Sequence, residues 1–183
     1  MKFQLQPLAA SDSEVFISDM QEAFQKGAEE AFGETGEEIL PRRDVEENLK
    51  EPGAHAFSAL SDGKPVGGAI VTIDEKTQPN HLDFLFVKTG VQSQGIGKAI
   101  FRALEELYPE TRVWETVTPY FEKRNIHFYV NVLGFYIVEF FNPFHPDPHR
   151  PESAGITADE YFEGMFRFEK EEDGALLNEH VEP

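Results

Sequence analysis

The chain has no cysteine, which excludes disulfide scaffolds, thiolate metal sites and cysteine nucleophiles. Positive charge is scarce: 16 Lys and Arg stand against 34 Asp and Glu, for a formal net charge of −18. Such a surface repels a phosphate backbone and argues against a nucleic-acid partner. It favours the approach of cationic small molecules or basic peptides. No apolar run approaches the ~20 residues that a bilayer-crossing helix needs. The opening residues, Met1-Lys2-Phe3-Gln4-Leu5, carry no apolar signal region. A soluble, cytoplasmic protein with no membrane partner is expected.

What is present suits a packed interior. The 183 residues are 40% hydrophobic and include 17 Phe, enough for one domain with a full core. A single domain over 1–170 is expected, then an acidic, flexible tail over 171–183. The run Glu169-Lys170-Glu171-Glu172-Asp173 reads as the solvated start of that end.

Alternation predicts a strand over Lys2 to Leu8. Ser11-Asp12-Ser13-Glu14 is a helix start, followed at helical spacing by Val15, Ile17, Met20, Ala23, Phe24 and Ala28. Pro41 to Lys50 reads as a second, short helix. His55 to Leu60 and Pro65 to Ile73 flank the turn cluster Ser61-Asp62-Gly63-Lys64, a hairpin signature. After the turn Gln78-Pro79-Asn80, His81 to Val87 is a short buried strand. Gly95 to Tyr108 is a helix with Ile96, Ile100, Ala103, Leu104 and Leu107 on one face. Thr111 to Val117 is a strand. Thr118-Pro119 reads as N-cap and first residue of a helix that runs to about Leu133, stopped by Gly134. Strands over Phe135 to Phe141 and Tyr161 to Phe168 bracket an irregular loop from Asn142 to Pro151. The order β-α-α-β-β-β-α-β-α-β-β predicts an α/β fold, a sheet of mixed direction with helices on its faces.

The chemistry centres on Gln92-Ser93-Gln94-Gly95-Ile96-Gly97-Lys98-Ala99, between a buried strand and a helix. Glycines there let backbone amides approach an anion, and the helix N-terminus adds partial positive charge. A phosphate or pyrophosphate cradle is the expectation. Gly90 and Gly95 have the spacing of a nucleotide-binding Walker loop, but Ile96 and Gly97 occupy its lysine and hydroxyl positions. The dinucleotide fingerprint fails as well, because Ile100 stands where its third glycine belongs.

The loop instead resembles the hallmark of the GNAT superfamily of N-acetyltransferases: Gln or Arg, two residues, Gly, one residue, then Gly or Ala. Gln92, Gly95 and Gly97 match it, five residues past the strand-ending Val87. Downstream, Asn125-Ile126-His127-Phe128-Tyr129-Val130-Asn131-Val132-Leu133-Gly134-Phe135 is similar to that family's segment of asparagine, helix, aromatic pair, then Leu-Gly-Phe. The resemblance spans nearly the whole chain and implies a mixed, mostly antiparallel central sheet flanked by helices. It implies acetyl-CoA as co-substrate, with main-chain contacts from Phe86 and Val87, a pyrophosphate cradle from Gln92 to Ala99, and a coenzyme contact from Asn125. One departure stands out. The family's tyrosine precedes the glycine by four residues and its asparagine by eleven, where this chain has Val130 and Lys123. Tyr129 and Asn125 are displaced by one and two residues, so either the helix carries a local bulge or the roles differ.

Acyl transfer to an amine requires a neutral nucleophile. An alkyl ammonium is only ~0.04% neutral at pH 7, a handicap near ~4.6 kcal/mol. A general base is needed, together with a donor for the oxyanion and a proton for the leaving thiolate. By the period of two, His81, Asp83, Leu85 and Val87 share one strand face. Histone-type members of the family carry a glutamate base where this chain has His81, and a histidine can do the same work. Asp83 is the alternative base. Glu115 could bind a cationic substrate, act as base, or form a cross-strand pair. Tyr129 is the candidate general acid. His127, His145 and His149 form no recognisable metal site, so no metal is expected. The expected activity is transfer of an acetyl group from acetyl-CoA to a primary amine of a small molecule or peptide. The alternative is a non-catalytic acyl-CoA-binding sensor. An edge strand such as Tyr161 to Phe168 could pair across a homodimer.

Overall fold

The computed structural model describes residues 2–34, 36–76, 79–91, 95–148 and 164–172. The expectations for Gln78, Gln92, Ser93, Gln94, His149, the start of the last strand at Tyr161 and the tail from 173 lie outside the described residues. The chain divides into two compact units, 1–109 and 110–183.

The first unit runs β1 (Phe3–Pro7), a short 3-10 turn (Ala10–Asp12), α1 (Ser13–Phe32), α2 (Arg42–Asn48), β2 (Ala54–Ser61), β3 (Lys64–Thr72), β4 (Asn80–Val87) and α3 (Ile96–Leu107). Its four strands form an antiparallel meander, β1 on β2, β2 on β3 and β3 on β4. The expected hairpin turn is there. Asp62 and Gly63 both hold positive φ, 49° and 78°, the pairing that a tight two-residue connection demands.

Helix α1 buries Phe16, Ile17 and Met20 against Ile70 and Phe86 of the sheet, with Leu40 and Val45 completing the cluster. Of the expected helical stripe, Ile17, Met20 and Ala28 are buried and Val15 is the exception. Val15 is 57% exposed and Phe16 is buried in its place. Gly68 makes this seat possible, because a Cβ there would lie 2.4 Å from the Phe16 ring and 2.5 Å from the Phe57 carbonyl oxygen. On α3, Phe101 is buried and Leu107, at the helix end, is exposed.

The second unit contains β5 (Val113–Pro119), α4 (Lys123–His127) continuing into a π-helix (Phe128–Leu133), β6 (Tyr136–Phe141) and β7 (Met165–Glu171). Three corrections belong here. Thr118 and Pro119 do not open a helix; they end β5, where Pro119 pairs with Met165, and α4 begins only at Lys123. A proline lacks an N–H but is tolerated at a strand end. The acidic end starts later than expected, because Glu169 to Glu171 pair with Glu115 to Val113 of β5. Finally, β7 is no edge strand. It is paired on both sides, with β5 and with β6, so it has no free ladder to offer a second copy.

Every strand pairing within the two units is antiparallel, and helices accompany both sets of strands, as the mixed, mostly antiparallel α/β expectation requires. No helix among the described residues is long and apolar enough to cross a membrane.

Candidate active site

The organising irregularity of the first unit is a bulge in β4. Its register with β3 runs Gly67↔Val87, Gly68↔Phe86, Ala69↔Leu85 and Ile70↔Phe84, then jumps to Val71↔Leu82 and Thr72↔His81. Asp83 is the extra residue. A bulge advances one strand by a residue and reverses the side-chain phase beyond it. The expectation that His81, Asp83, Leu85 and Val87 share a face is therefore wrong. Val87 and Leu85 lie opposite Gly67 and Ala69, whereas His81 lies opposite Thr72, on the other phase of β3. Phe84 and Phe86 reach α1, with ring centroids 6.0 Å from Phe24 and 5.2 Å from Phe16.

The bulge brings three polar side chains together. Asp83 Oδ2 accepts a hydrogen bond from the Thr72 hydroxyl at 2.8 Å, and its Oδ1 lies 3.0 Å from His81 Nδ1. A carboxylate only accepts, so Nδ1 carries a proton, and in the neutral ring Nε2 keeps its lone pair. Nε2 makes no hydrogen bond among the described residues. An imidazole oriented by a carboxylate with the other nitrogen open is the arrangement of a general base.

Beyond β4 the chain enters a turn closed by a bond from the Val91 amide to the Lys88 carbonyl, 3.2 Å, with Gly90 at φ 87° in its third position. Lys88 is held on both sides, by its amide on the Val66 carbonyl at 2.9 Å and by its ammonium on Asp19 of α1 at 2.8 Å. Gly95 resumes the described chain with φ 71° and ψ 12°, a left-handed conformation that other residues adopt only at a cost. The first bond of α3 runs from the Ala99 amide to the Gly95 carbonyl. The amides of Ile96, Gly97 and Lys98 thus precede the helical ladder, and Gly95 brings no side chain to cap them. Thr89 adds a buried hydroxyl with no hydrogen-bond partner among the described residues. A glycine-opened helix N-terminus, with amides ahead of the helical ladder, fits a phosphate-bearing arm.

In the second unit Tyr129 lies in the π-helix. Its carbonyl accepts from both the Gly134 and the Phe135 amides, at 2.9 Å for the latter, and Gly134 closes the helix at φ 84°. A π-turn accommodates one more residue than an α-turn. That insertion is the local bulge left open by the sequence, and it accounts for Tyr129 standing five rather than four residues before Gly134. It does not account for Asn125, which is displaced in the opposite direction and donates through Nδ2 to the Thr118 hydroxyl at 3.3 Å. The Tyr129 ring packs 5.4 Å from Phe168 and 5.8 Å from Phe135. Burial pushes its hydroxyl pKa above the ordinary tyrosine value, with a hydrogen bond from Thr116 pulling the other way. Tyr129 therefore keeps its proton at neutral pH, as a general acid must.

Glu115 sits on the opposite face of β5 from Thr116 by strand alternation, and so faces away from Tyr129. Its carboxylate pairs with Arg167, which also holds Glu169 and, at 2.9 Å, Glu139. His145 bonds the other oxygen of Glu139 at 2.7 Å. Of the three readings open for Glu115, the cross-strand ion pair is the one its geometry displays. Sequence reasoning missed Thr72, Thr89, Thr116 and Arg167, none of which sits in a recognisable motif.

Residues 17–135 match the profile of the Acetyltransferase (GNAT) family. The chain is 45% identical over 170 residues to the uncharacterized protein YrkN of Bacillus subtilis (strain 168), covering 92% of this chain and 84% of that protein. Among solved structures, the ribosomal-protein-S18-alanine N-acetyltransferase of Escherichia coli superposes with a TM-score of 0.62 at 16% identity, covering 93% of this chain and 94% of that one. The PaiA N-acetyltransferase of Thermoplasma acidophilum, solved in complex with coenzyme A, gives 0.64 at 15% identity, over 94% and 100%. These likenesses show the fold. The chain belongs to the GNAT acetyltransferase family. Acyl transfer is the chemistry of that family, with acetyl-CoA as the co-substrate consistent with it.

Proposed function

We propose that the protein transfers an acetyl group from acetyl-CoA to a primary amine of a small molecule or peptide. The observation that carries this reading is His81, held by Asp83 through Nδ1, with no hydrogen bond to Nε2 among the described residues. His81 takes a proton from the ammonium, directly or through one water. The amine nitrogen then bonds the acetyl carbon as the carbon–sulfur bond breaks, Tyr129 gives its proton to the departing thiolate, and the second proton shed by the acylated nitrogen restores the tyrosine. The segment from Phe86 to Ala99, with Gln92 to Gln94 included on the family resemblance, binds the coenzyme. Asn125 keeps only a proposed coenzyme contact, and Glu115 acts in the sheet rather than as base.

The acceptor reading leans on charge. A chain of net −18 attracts cations and repels anions. A non-catalytic acyl-CoA sensor is the alternative, and the π-helical insertion at Tyr129 supports the catalytic reading. Thiol release from acetyl-CoA across a panel of polyamines, aminoglycosides and lysine-bearing peptides tests the proposal. Turnover with one class supports it. Coenzyme binding with no turnover on any amine would favour the sensor.

A further inference from the structure

We infer that two copies of this chain pair through the exposed side of β6 and the turn that follows it. The inference is independent of the acetyl-transfer reading. Among the described residues β6 is paired on one side only, with β7. Tyr136 is 73% exposed, and Ile137, Val138 and Phe140 are exposed as well, so the strand turns four apolar side chains to water. Just beyond it Phe144 is 98% exposed, and the backbone holds it there. Asn142 and His145 exchange amide-to-carbonyl bonds at 2.9 and 3.0 Å, and the Asn142 side-chain oxygen accepts from the Phe144 amide at 2.9 Å. The His145 ring stacks on Phe141 and bonds Glu139. A ring held out by a closed turn is pre-organised, and meets a partner at little ordering cost.

Charge and area point to a second copy as the occupant. At a net charge of −18, another copy is repelled wherever the acids lie. From Tyr136 to Phe144 the one side chain charged at neutral pH is Glu139, and its carboxylate is matched by Arg167 and His145. At about 150–250 Å² per aromatic side chain, and with Ile137 and Val138 included, the open fractions leave on the order of 500 Å² of apolar area. One side of a standard interface covers about 800 Å², of which somewhat over half is apolar. The patch therefore has the size that one half of a two-fold dimer supplies. The register with β7 skips Val138, between Ile137↔Phe168 and Glu139↔Arg167. A bulge in an edge strand discourages ladder pairing, so the copies meet through side chains rather than as one continuous sheet.

Sedimentation of the full chain over a range of concentrations reads the association. The parent is expected to dimerise, and more tightly at high salt, which screens the repulsion between like-charged copies. Phe144→Asp and Tyr136→Glu change side chains already in water, so circular dichroism should show the parent fold while association weakens at least about thirtyfold. Val15→Asp places the same kind of charge at an exposed apolar site on α1, and is expected to dimerise as the parent does. Amide hydrogen exchange of the parent at high and low concentration needs no variant, and is expected to slow over residues 136–144 as the dimer forms. A parent that stays monomeric at every concentration overturns the inference. So does association that survives both substitutions, an equal loss in Val15→Asp, or protection confined to other segments.

Discussion

His81 Nδ1 meets Asp83 Oδ1 at 3.0 Å across the bulge in β4, and Thr72 of the neighbouring strand holds the other oxygen of the same carboxylate at 2.8 Å. Without the bulge, the phase of β4 would carry His81 to the same side as Leu85 and Val87. The irregularity joins the imidazole, its orienting carboxylate and the hydroxyl that steadies both. On the proposed mechanism Asp83 is a positioning residue rather than a second base.

Asp83→Asn should separate those two roles. The amide keeps the size of the carboxylate and can still accept from Thr72, but it no longer requires a proton on His81 Nδ1. We expect kcat to fall at least about tenfold with the affinity for coenzyme A unchanged. Steady-state kinetics with calorimetric titration reads both. A change in coenzyme affinity with kcat intact would place Asp83 in binding instead.

Tyr129→Phe should lower kcat by about a hundredfold and leave coenzyme binding alone. It should also alter alkaline stability. Burial raises the Tyr129 pKa above its unfolded value near ~10, so its contribution is full below that value and is lost as pH rises through the folded pKa. Burial raises Tyr108 in the same sense. Melting temperature between about pH 9 and 11 should therefore fall less steeply for Tyr129→Phe than for the parent, with the slope from Tyr108 remaining.

Arg167→Met leaves Glu115, Glu139 and Glu169 without their shared cation. The variant should melt below the parent at neutral pH. The hydrogen bond from His145, then that from Arg167, holds the Glu139 carboxyl below its ordinary value against an opposing effect of burial. Its stabilising contribution is present above the unfolded pKa and is lost as pH falls through the folded one. The gap between variant and parent should accordingly narrow on acidification, followed by thermal melts across the carboxylate range.

Two glycines should respond differently to alanine. Gly68→Ala drives a Cβ into the Phe16 ring and the Phe57 carbonyl, and should cost on the order of 3 kcal/mol. Gly95→Ala meets no atom within 4 Å and pays mainly for its left-handed backbone, about 1 kcal/mol. Denaturant unfolding should rank them so, with coenzyme affinity reduced in Gly95→Ala.

Much of this was legible from residue order. Alternation, turn clusters and the stop at Gly134 located each element to within a few residues, because burial and turn chemistry are local signals. The departures have local causes too. Pro119 carries the mark of a helix start, yet tertiary pairing with Met165 holds it in a strand. Strand parity grouped His81 with Val87, but parity fails at a bulge, and no residue type announces the one at Asp83. The misplaced tyrosine pointed to an inserted residue, although only the backbone hydrogen bonds show a π-helix there. Thr89 gave no signal, since its orphaned hydroxyl exists only once the surrounding turn has closed.

The account turns on His81 as the base of an amine acetyltransferase. Amine-dependent thiol release from acetyl-CoA by the parent and by His81→Ala, with coenzyme affinity measured alongside, tests it most directly. The parent is expected to turn over at least one class of amine, and the variant to lose about a hundredfold or more in kcat at unchanged coenzyme affinity. A variant that turns over at the parent rate would contradict the assignment, and a parent that binds coenzyme but acetylates no amine would contradict the activity.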